Sequence, residues 1–267
     1  MKLKLLIVLT LVLSANMGFA QTTTCTAPLY LPATGIHIQN FLSGASITYW
    51  YAVFGYAGHS YSLETKATNV TDPTSGIYVF TTTVYNSTDT PCTTPATDTL
   101  TVNGNTFSDP LLSGFTDRRR TWIAPATGNY LVGITTGSTG NVALDLHVLD
   151  TTYYNPRWST FTGFLTQWGF KNTSDQVLSC TLTANDTLGM PANPAITTGF
   201  TIPAGKSVFK TIGNGAGFDI NAGPQHGGDA VLACDAPPNT IKADAYFING
   251  SGSVIVPSSF EPRRADF

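Results

Sequence analysis

Residues 47–56 read Ile-Thr-Tyr-Trp-Tyr-Ala-Val-Phe-Gly-Tyr, and this run constrains the fold more than any other. Aromatic and β-branched side chains occupy both alternating sets of positions, the pattern of a strand buried between two layers. Gly58-His59 supplies a turn, after which Tyr61-Ser-Leu-Glu-Thr65 alternates as a half-exposed strand does. Further strands are expected over 77–85, 99–102, 121–123, 130–135 and 142–149. Beyond Pro156 the same reading places strands over 161–171, 177–183, 200–202, 207–212, 230–234, 241–248 and 253–256. Clusters of Gly, Pro, Asn and Asp separate the runs at short intervals. Short strands cut by turn residues predict a sandwich or barrel and exclude βαβ units.

Charge usage points the same way. Charged residues make up 11% of the chain, against about 25% in ordinary globular proteins, and Glu64 and Glu261 are the only glutamates. Glu, Lys and Arg are the usual residues of exposed helix faces, and the Thr, Val, Tyr and Phe in their place favour strands. The expected fold class is all-β, with two consecutive β-sandwich domains.

The first twenty residues carry Lys2 and Lys4, an apolar run from Leu5 to Leu13, and the small residues Gly18 and Ala20. This is the order of a secretory signal peptide, expected over 1–20 with cleavage after Ala20. Gln21 stands where a lipid anchor would need cysteine. The apolar run is too short to cross a bilayer, and no later stretch is long and apolar enough. Phe267 resembles the terminal aromatic residue of outer-membrane barrels, but Glu261-Pro-Arg-Arg-Ala-Asp-Phe267 does not alternate as a lipid-facing strand must. The mature chain is therefore expected to be secreted, without a membrane span. Its domains are expected over 21–152 and 153–267, the second an immunoglobulin-like sandwich of seven strands in about 110 residues. Without Lys2 and Lys4 the 13 basic residues fall to 11 against 16 acidic ones, a net charge of −5. Neither nucleic acid nor an anionic membrane is drawn to such a surface. The run Arg118-Arg119-Arg120 reads as a solvated turn flank.

Four cysteines, Cys25, Cys92, Cys180 and Cys234, form an even set in an exported chain and read as two disulfides with three possible connectivities. A boundary near residue 153 leaves two in each half, which favours Cys25 with Cys92 and Cys180 with Cys234. A zinc site is disfavoured, because no C-x-x-C spacing occurs and His37, His59, His147 and His226 are scattered.

Tyr49-Trp50-Tyr51-Ala-Val-Phe54, the turn Ala57-Gly58-His59-Ser60-Tyr61 and the segment Trp122-Ile-Ala-Pro-Ala-Thr-Gly128-Asn-Tyr130-Leu-Val together resemble the bacterial pre-peptidase C-terminal domain. The resemblance covers roughly residues 36–150 and rests on a turn and a core tyrosine. It implies a secreted, jelly-roll-like sandwich that accompanies extracellular enzymes and surface proteins. Some members bind calcium or collagen through acidic loop residues, which makes Asp145 and Asp150 the candidate calcium ligands here. No dense acidic cluster surrounds them, and no other cofactor is implied. The second half resembles domains of bacterial secreted proteins that carry a turn like Thr201-Ile-Pro-Ala-Gly205-Lys206 and a later turn like Asp235-Ala-Pro237-Pro238-Asn239.

Signatures of catalysis are missing from the sequence. No G-x-S-x-G occurs, and no histidine pair brackets a glutamate in the manner of zinc peptidases. A glycosidase pair remains open among fourteen aspartates. His226, Asp229 and Asp235 flank a glycine-rich stretch, Gly213 to Gly228, that is expected to be a long loop. They read as ordinary loop residues near a disulfide, with a metal or catalytic site as the rival. Trp50, Trp122, Trp158 and Trp168 read as core residues, with a sugar-stacking platform as the rival. N-x-S/T sequons stand at Asn69, Asn86, Asn172, Asn185 and Asn249. The expected function is that of a non-catalytic binding or structural protein at the cell surface, with no catalytic residues assigned. The alternative is an accessory module of an extracellular hydrolase system. The partner would be an extracellular polymer or protein, or another copy of the chain.

Overall fold

The computed structural model describes residues 22–67, 81–85, 103–108, 116–136, 142–236, 238–249 and 251–262. The segment expected to be a signal peptide, together with Cys92, Asn69, Asn86 and Phe267, lies outside the described residues. The protein is all-β: among the described residues the only helix is one 3-10 turn at Phe161–Gly163.

The first half contributes β1 (Leu29–Tyr30), β2 (Ile38–Leu42), β3 (Thr48–Gly55), β4 (Ser60–Ala67), β5 (Thr81–Tyr85), β6 (Asn103–Ser108), β7 (Thr116–Ile123), β8 (Gly128–Thr135) and β9 (Val142–Asp150). They form two sheets, ordered β1-β3-β8-β5 and β2-β9-β4-β7-β6. The second half contributes β10 (Tyr153–Ser159), β11 (Leu165–Asn172), β12 (Leu178–Asp186), β13 (Ile196–Ile202), β14 (Ser207–Gly213), β15 (Ile220–Asn221), β16 (Gly227–Cys234), β17 (Ile241–Ile248), β18 (Val254–Ser259) and β19 (Glu261–Pro262). Its sheets are ordered β13-β12-β16-β10-β19 and β15-β14-β11-β17-β18.

Alternation places the cores. Tyr49, Tyr51 and Val53 of β3 meet Leu63 of β4 and Leu144, Leu146 and Val148 of β9 inside the first sandwich. Trp168 and Phe170 of β11 meet Leu182 of β12 and Leu232 of β16 inside the second. The first buried cluster draws on residues 31–148 and the second on residues 153–260. Between them Thr151 and Thr152 are pinned to β4. The Ser60 amide donates to Thr152 Oγ1 at 3.0 Å, and the Thr151 amide donates to the Ser60 carbonyl at 2.8 Å.

Three expectations change. The run 47–56 is not buried on both sides: its inward residues pack in the core, while Phe54 and Tyr56 face solvent. Arg118-Arg119-Arg120 is not a turn flank but part of β7, where Arg119 stands opposite Glu64 of β4. A cation mid-strand is accommodated because it sits on the outward face with a carboxylate across from it. No strand is expected across Pro156, yet Pro156 lies inside β10. The ladder to β16 shifts register between Asn155 and Trp158, and such a bulge frees the position from supplying an N–H.

Cys180 and Cys234 are disulfide-bonded, directly opposite each other on the adjacent strands β12 and β16. An antibody-type bridge crosses between sheets; this one ties two strands of the same sheet. Cys25 is also disulfide-bonded, and its expected partner Cys92 lies outside the described residues. Asn172 is fully buried, and its amide donates to the carbonyls of Gln176 at 2.6 Å and Ile202 at 3.1 Å. That sequon carries a structural amide. The Cys180–Cys234 bridge closes a segment of 54 residues, so opening it should cost about 4 kcal/mol. Urea unfolding of the Cys180→Ala/Cys234→Ala double variant against the oxidised parent measures this, and equal midpoints would refute the assignment.

Candidate functional site

An open cleft of about 350 Å3 lies at one end of the second sandwich, lined by Thr160, Gly163, Phe164, Leu165, Asn214, Phe218, Pro224 and Gln225. Two segments build it: the β10–β11 connection with its 3-10 turn, and the glycine-rich stretch between β14 and β16. The latter is ordered and interrupted by β15, which pairs parallel to β14. Its volume and its mixture of rings with a few amides and hydroxyls suit a small uncharged group.

Thr160 holds the two segments together. Its hydroxyl donates to the Gly223 carbonyl at 2.8 Å and accepts the His226 amide at 3.0 Å, and its own amide donates to the His226 carbonyl at 2.8 Å. Phe218 forms another wall by lying across Gly213, where a Cβ would come within 2.7 Å of the ring. Gln225 has φ 63°, a left-handed conformation that costs a residue with a side chain about 1 kcal/mol.

Behind the cleft stands a buried carboxylate. The Asp186 side chain is 2% exposed, and its Oδ2 lies 2.6 Å from His226 Nδ1. It also accepts the amides of Asn193 at 2.7 Å and Gly189 at 2.8 Å. Burial opposes its ionisation, but the Asn193 amide, the His226 ring and the amides of Gly189 and Gly227 outweigh that and hold the pKa down to about 2. An ionised carboxylate only accepts, so His226 Nδ1 carries the proton. A histidine oriented in this way is half of a hydrolase triad. Among the described residues no serine hydroxyl is recorded on its other ring nitrogen, and no cysteine is free.

The polar group His226, Asp229 and Asp235 does not converge. His226 turns to Asp186, Asp229 accepts from the Asn185 amide at 2.7 Å, and Asp235 accepts from the Thr121 hydroxyl of the first sandwich. Asn185, another sequon, is thus engaged by its side chain. The Asp186–His226 pair was invisible in sequence because 40 positions separate its members. Its one local trace is Gly189, where a Cβ would stand 2.2 Å from His226 Nδ1.

Asp145 and Asp150 point to opposite faces of β9, and the structure does not bring them together. Asp145 Oδ2 lies 2.8 Å from His37 Nδ1, and the His37 ring stacks on His147 at 4.3 Å. His147 contacts Glu64 at 3.2 Å, and Glu64 accepts from Arg119 at 2.7 Å. Burial works against the Glu64 charge, yet His147 and Arg119 lower its pKa. Asp150 lies 3.0 Å from His59 Nδ1 and accepts the Thr152 amide at 3.0 Å. Burial again opposes its charge, and His59 and Thr152 outweigh it. Asp150 thereby braces the joint between the sandwiches. Among the described residues no three His, Cys, Asp or Glu side chains are grouped as a metal would need.

The outward face of sheet β1-β3-β8-β5 differs from that charged network. Trp50, Ala52 and Phe54 of β3 stand opposite Gly133, Leu131 and Asn129 of β8, and Tyr30 of β1 lies beside Ala52. Trp50 contacts Tyr85 with ring centroids 5.5 Å apart, and Phe54 meets Tyr56 edge-on at 5.3 Å. Of the four tryptophans, Trp122, Trp158 and Trp168 are core residues, and Trp50 belongs to this outer face.

A scan against protein-family models finds no match to the chain, and a search of curated proteins finds no relative.

Gly189→Ala should break the Asp186–His226 contact and cost about 1–3 kcal/mol, the penalty for unpairing buried polar groups; chemical denaturation reads this. The stability that Asp186 adds is full above its ordinary value of 3.8 and is lost as pH falls through about 2. The gap between parent and Asp186→Asn in urea should therefore be constant near neutrality and shrink across that acid window. A gap that does not change with pH would refute the ionised, amide-held carboxylate.

Proposed function

We propose that this chain is a non-catalytic binding protein of the cell surface, secreted and folded under oxidising conditions, and that the cleft of the second sandwich is its recognition site. The observation that carries this reading is the chemistry of the cleft wall. Phe164, Leu165, Phe218 and Pro224 provide apolar surface, Thr160, Asn214 and Gln225 provide neutral hydrogen-bonding groups, and no ionisable side chain lines it. Such a wall orients a ligand and offers neither acid nor base to transform it. The left-handed Gln225 adds support, since backbone strain of this kind concentrates where a side chain must be presented.

The likeness of residues 36–150 to the pre-peptidase C-terminal domain supports the extracellular setting. Gly58 takes φ 76° in the turn that carries the likeness. Tyr130 is buried, with its hydroxyl donating to the Ala126 carbonyl at 2.5 Å. The disulfides support an oxidising compartment. The second reading, an accessory module that holds a polymer for an extracellular hydrolase, is favoured by the uncharged aromatic face of the first sandwich.

The cleft reading is tested by following backbone amides by NMR while adding glucose, N-acetylglucosamine or a blocked alanine dipeptide. One probe should shift the amides at Thr160, Asn214 and Gln225 and be recovered unchanged. Gln225→Gly should weaken that response while raising stability by up to about 1 kcal/mol, because glycine relieves the left-handed strain. No response to any probe, or chemical conversion of one, would overturn the reading.

A further inference from the structure

The outer face of sheet β1-β3-β8-β5 holds the longest exposed aromatic row among the described residues. We infer that this face binds a neutral, linear polysaccharide by stacking its sugar rings on Tyr30, Trp50, Phe54 and Tyr56. This deepens the accessory-module reading and does not depend on the cleft, which lies in the other sandwich.

The sequence supplies the first argument. The run 47–56 has the apolar pattern of a strand covered on both sides, yet among the described residues only the Tyr49, Tyr51 and Val53 side meets a second sheet, while on the other side Ala52 and Tyr85 are buried and Trp50 is half-buried. On that outer side Tyr30, Phe54 and Tyr56 are 58, 47 and 48% exposed. With side chains of about 150–250 Å2, those three leave roughly 300 Å2 of aromatic surface in water. That is far less than the approximately 800 Å2 per partner of a stable protein interface, which argues against a second copy of the chain. It is enough for a few stacked rings.

Charge supplies the second argument. The opposite sheet of the same sandwich displays Arg119, Glu64, His147 and Asp145 on its outer side. On the aromatic face the described outward residues of β1, β3 and β8 include no ionisable acid or base, apart from the tyrosine hydroxyl; at the Tyr56 end the ring of His59 lies 5.5 Å away, with Asp150 on its Nδ1. A nucleic acid or an acidic glycan would find no cation there. A neutral sugar presents C–H groups on its ring face and hydroxyls at its rim. The π face of an aromatic ring is electronegative and attracts the C–H side. Rim hydroxyls would meet neutral donors and acceptors. Asn129 Nδ2 stands 3.3 Å from the Tyr30 hydroxyl, and the Thr48 and Thr135 hydroxyls lie 2.8 Å apart across the strands.

Geometry supplies the third. Trp50 and Phe54 stand on one side of β3, and Tyr56 follows just beyond its end. Tyr30 fills the gap beside the small Ala52. Phe54 and Tyr56 meet edge-on, their planes 83° apart, so a sugar chain would meet successive rings at different angles along the row.

The test is isothermal titration of the oxidised protein with cellohexaose, chitohexaose and laminarihexaose, with hexagalacturonate and a proline-rich peptide as competing partners. At least one neutral hexasaccharide should bind, with little dependence on salt. Tyr30→Ala and Phe54→Ala should each weaken it about tenfold, the scale of one lost aromatic contact, with unfolding midpoints close to the parent because both residues are half exposed. Phe218→Ala in the cleft should leave this binding intact. The inference is overturned if no neutral hexasaccharide binds, if binding survives Tyr30→Ala and Phe54→Ala, or if only the acidic sugar or the peptide binds. Binding lost in Phe218→Ala alone would also overturn it and leave the cleft reading standing. Light scattering that shows a dimer abolished by Phe54→Ala would assign the face to a second copy instead.

Discussion

Every sheet here has to be covered by another sheet, because the described residues hold no helix beyond the single 3-10 turn at Phe161–Gly163. Burying a strand's polar backbone is tolerable only within a hydrogen-bonded ladder, and burying its side chains requires a facing layer. Pairing sheets two by two satisfies both demands and produces two cores. It also has an inescapable consequence: each sheet keeps one outer face, and the chemistry of those faces is free to diverge. In the first sandwich one outer face became a chain of polar contacts, Arg119 to Glu64 to His147, with the His37 ring packed on His147 and bonded to Asp145. The other became a row of rings.

All four histidines are held by carboxylates, and none lies free in a cleft. Their roles are architectural. His59 and Asp150 brace the short joint at Thr151–Thr152, and His226 with Asp186 secures the ordered stretch that walls the cleft. A cleft set between two loops keeps its shape only with such anchoring, since unanchored loops must be ordered at an entropic cost. Asp186 serves because it is buried and met by several amides, a setting that keeps it charged while it holds the histidine proton.

Much of the fold was legible. The strand expected over 241–248 coincides with β17, and the strand expected over 207–212 falls within β14. Both follow from local alternation and turn chemistry, which need only neighbouring residues. Short edge elements such as β1, β15 and β19 were not legible, because two residues carry no periodicity. Nor was β10, since Pro156 speaks against a strand until a bulge accommodates it. Arg118-Arg119-Arg120 misled for a related reason: the partner that makes a strand position acceptable, Glu64, lies 55 residues away.

By itself the sequence determined what depends on composition and local pattern. These are the all-β class, the alternation of the longer strands such as β17, and an even set of cysteines that favours pairing Cys180 with Cys234. Tertiary structure alone decided which carboxylate meets which histidine, and it separated Asp145 from Asp150 on β9. It also drew Asp186 to His226 and left Phe54 and Tyr56 half exposed on the outer face. The physical reason is that alternation assigns a side chain to one of two faces but never says what lies against that face. A strand apolar on both sides reads the same whether a second layer or a ligand is to cover it.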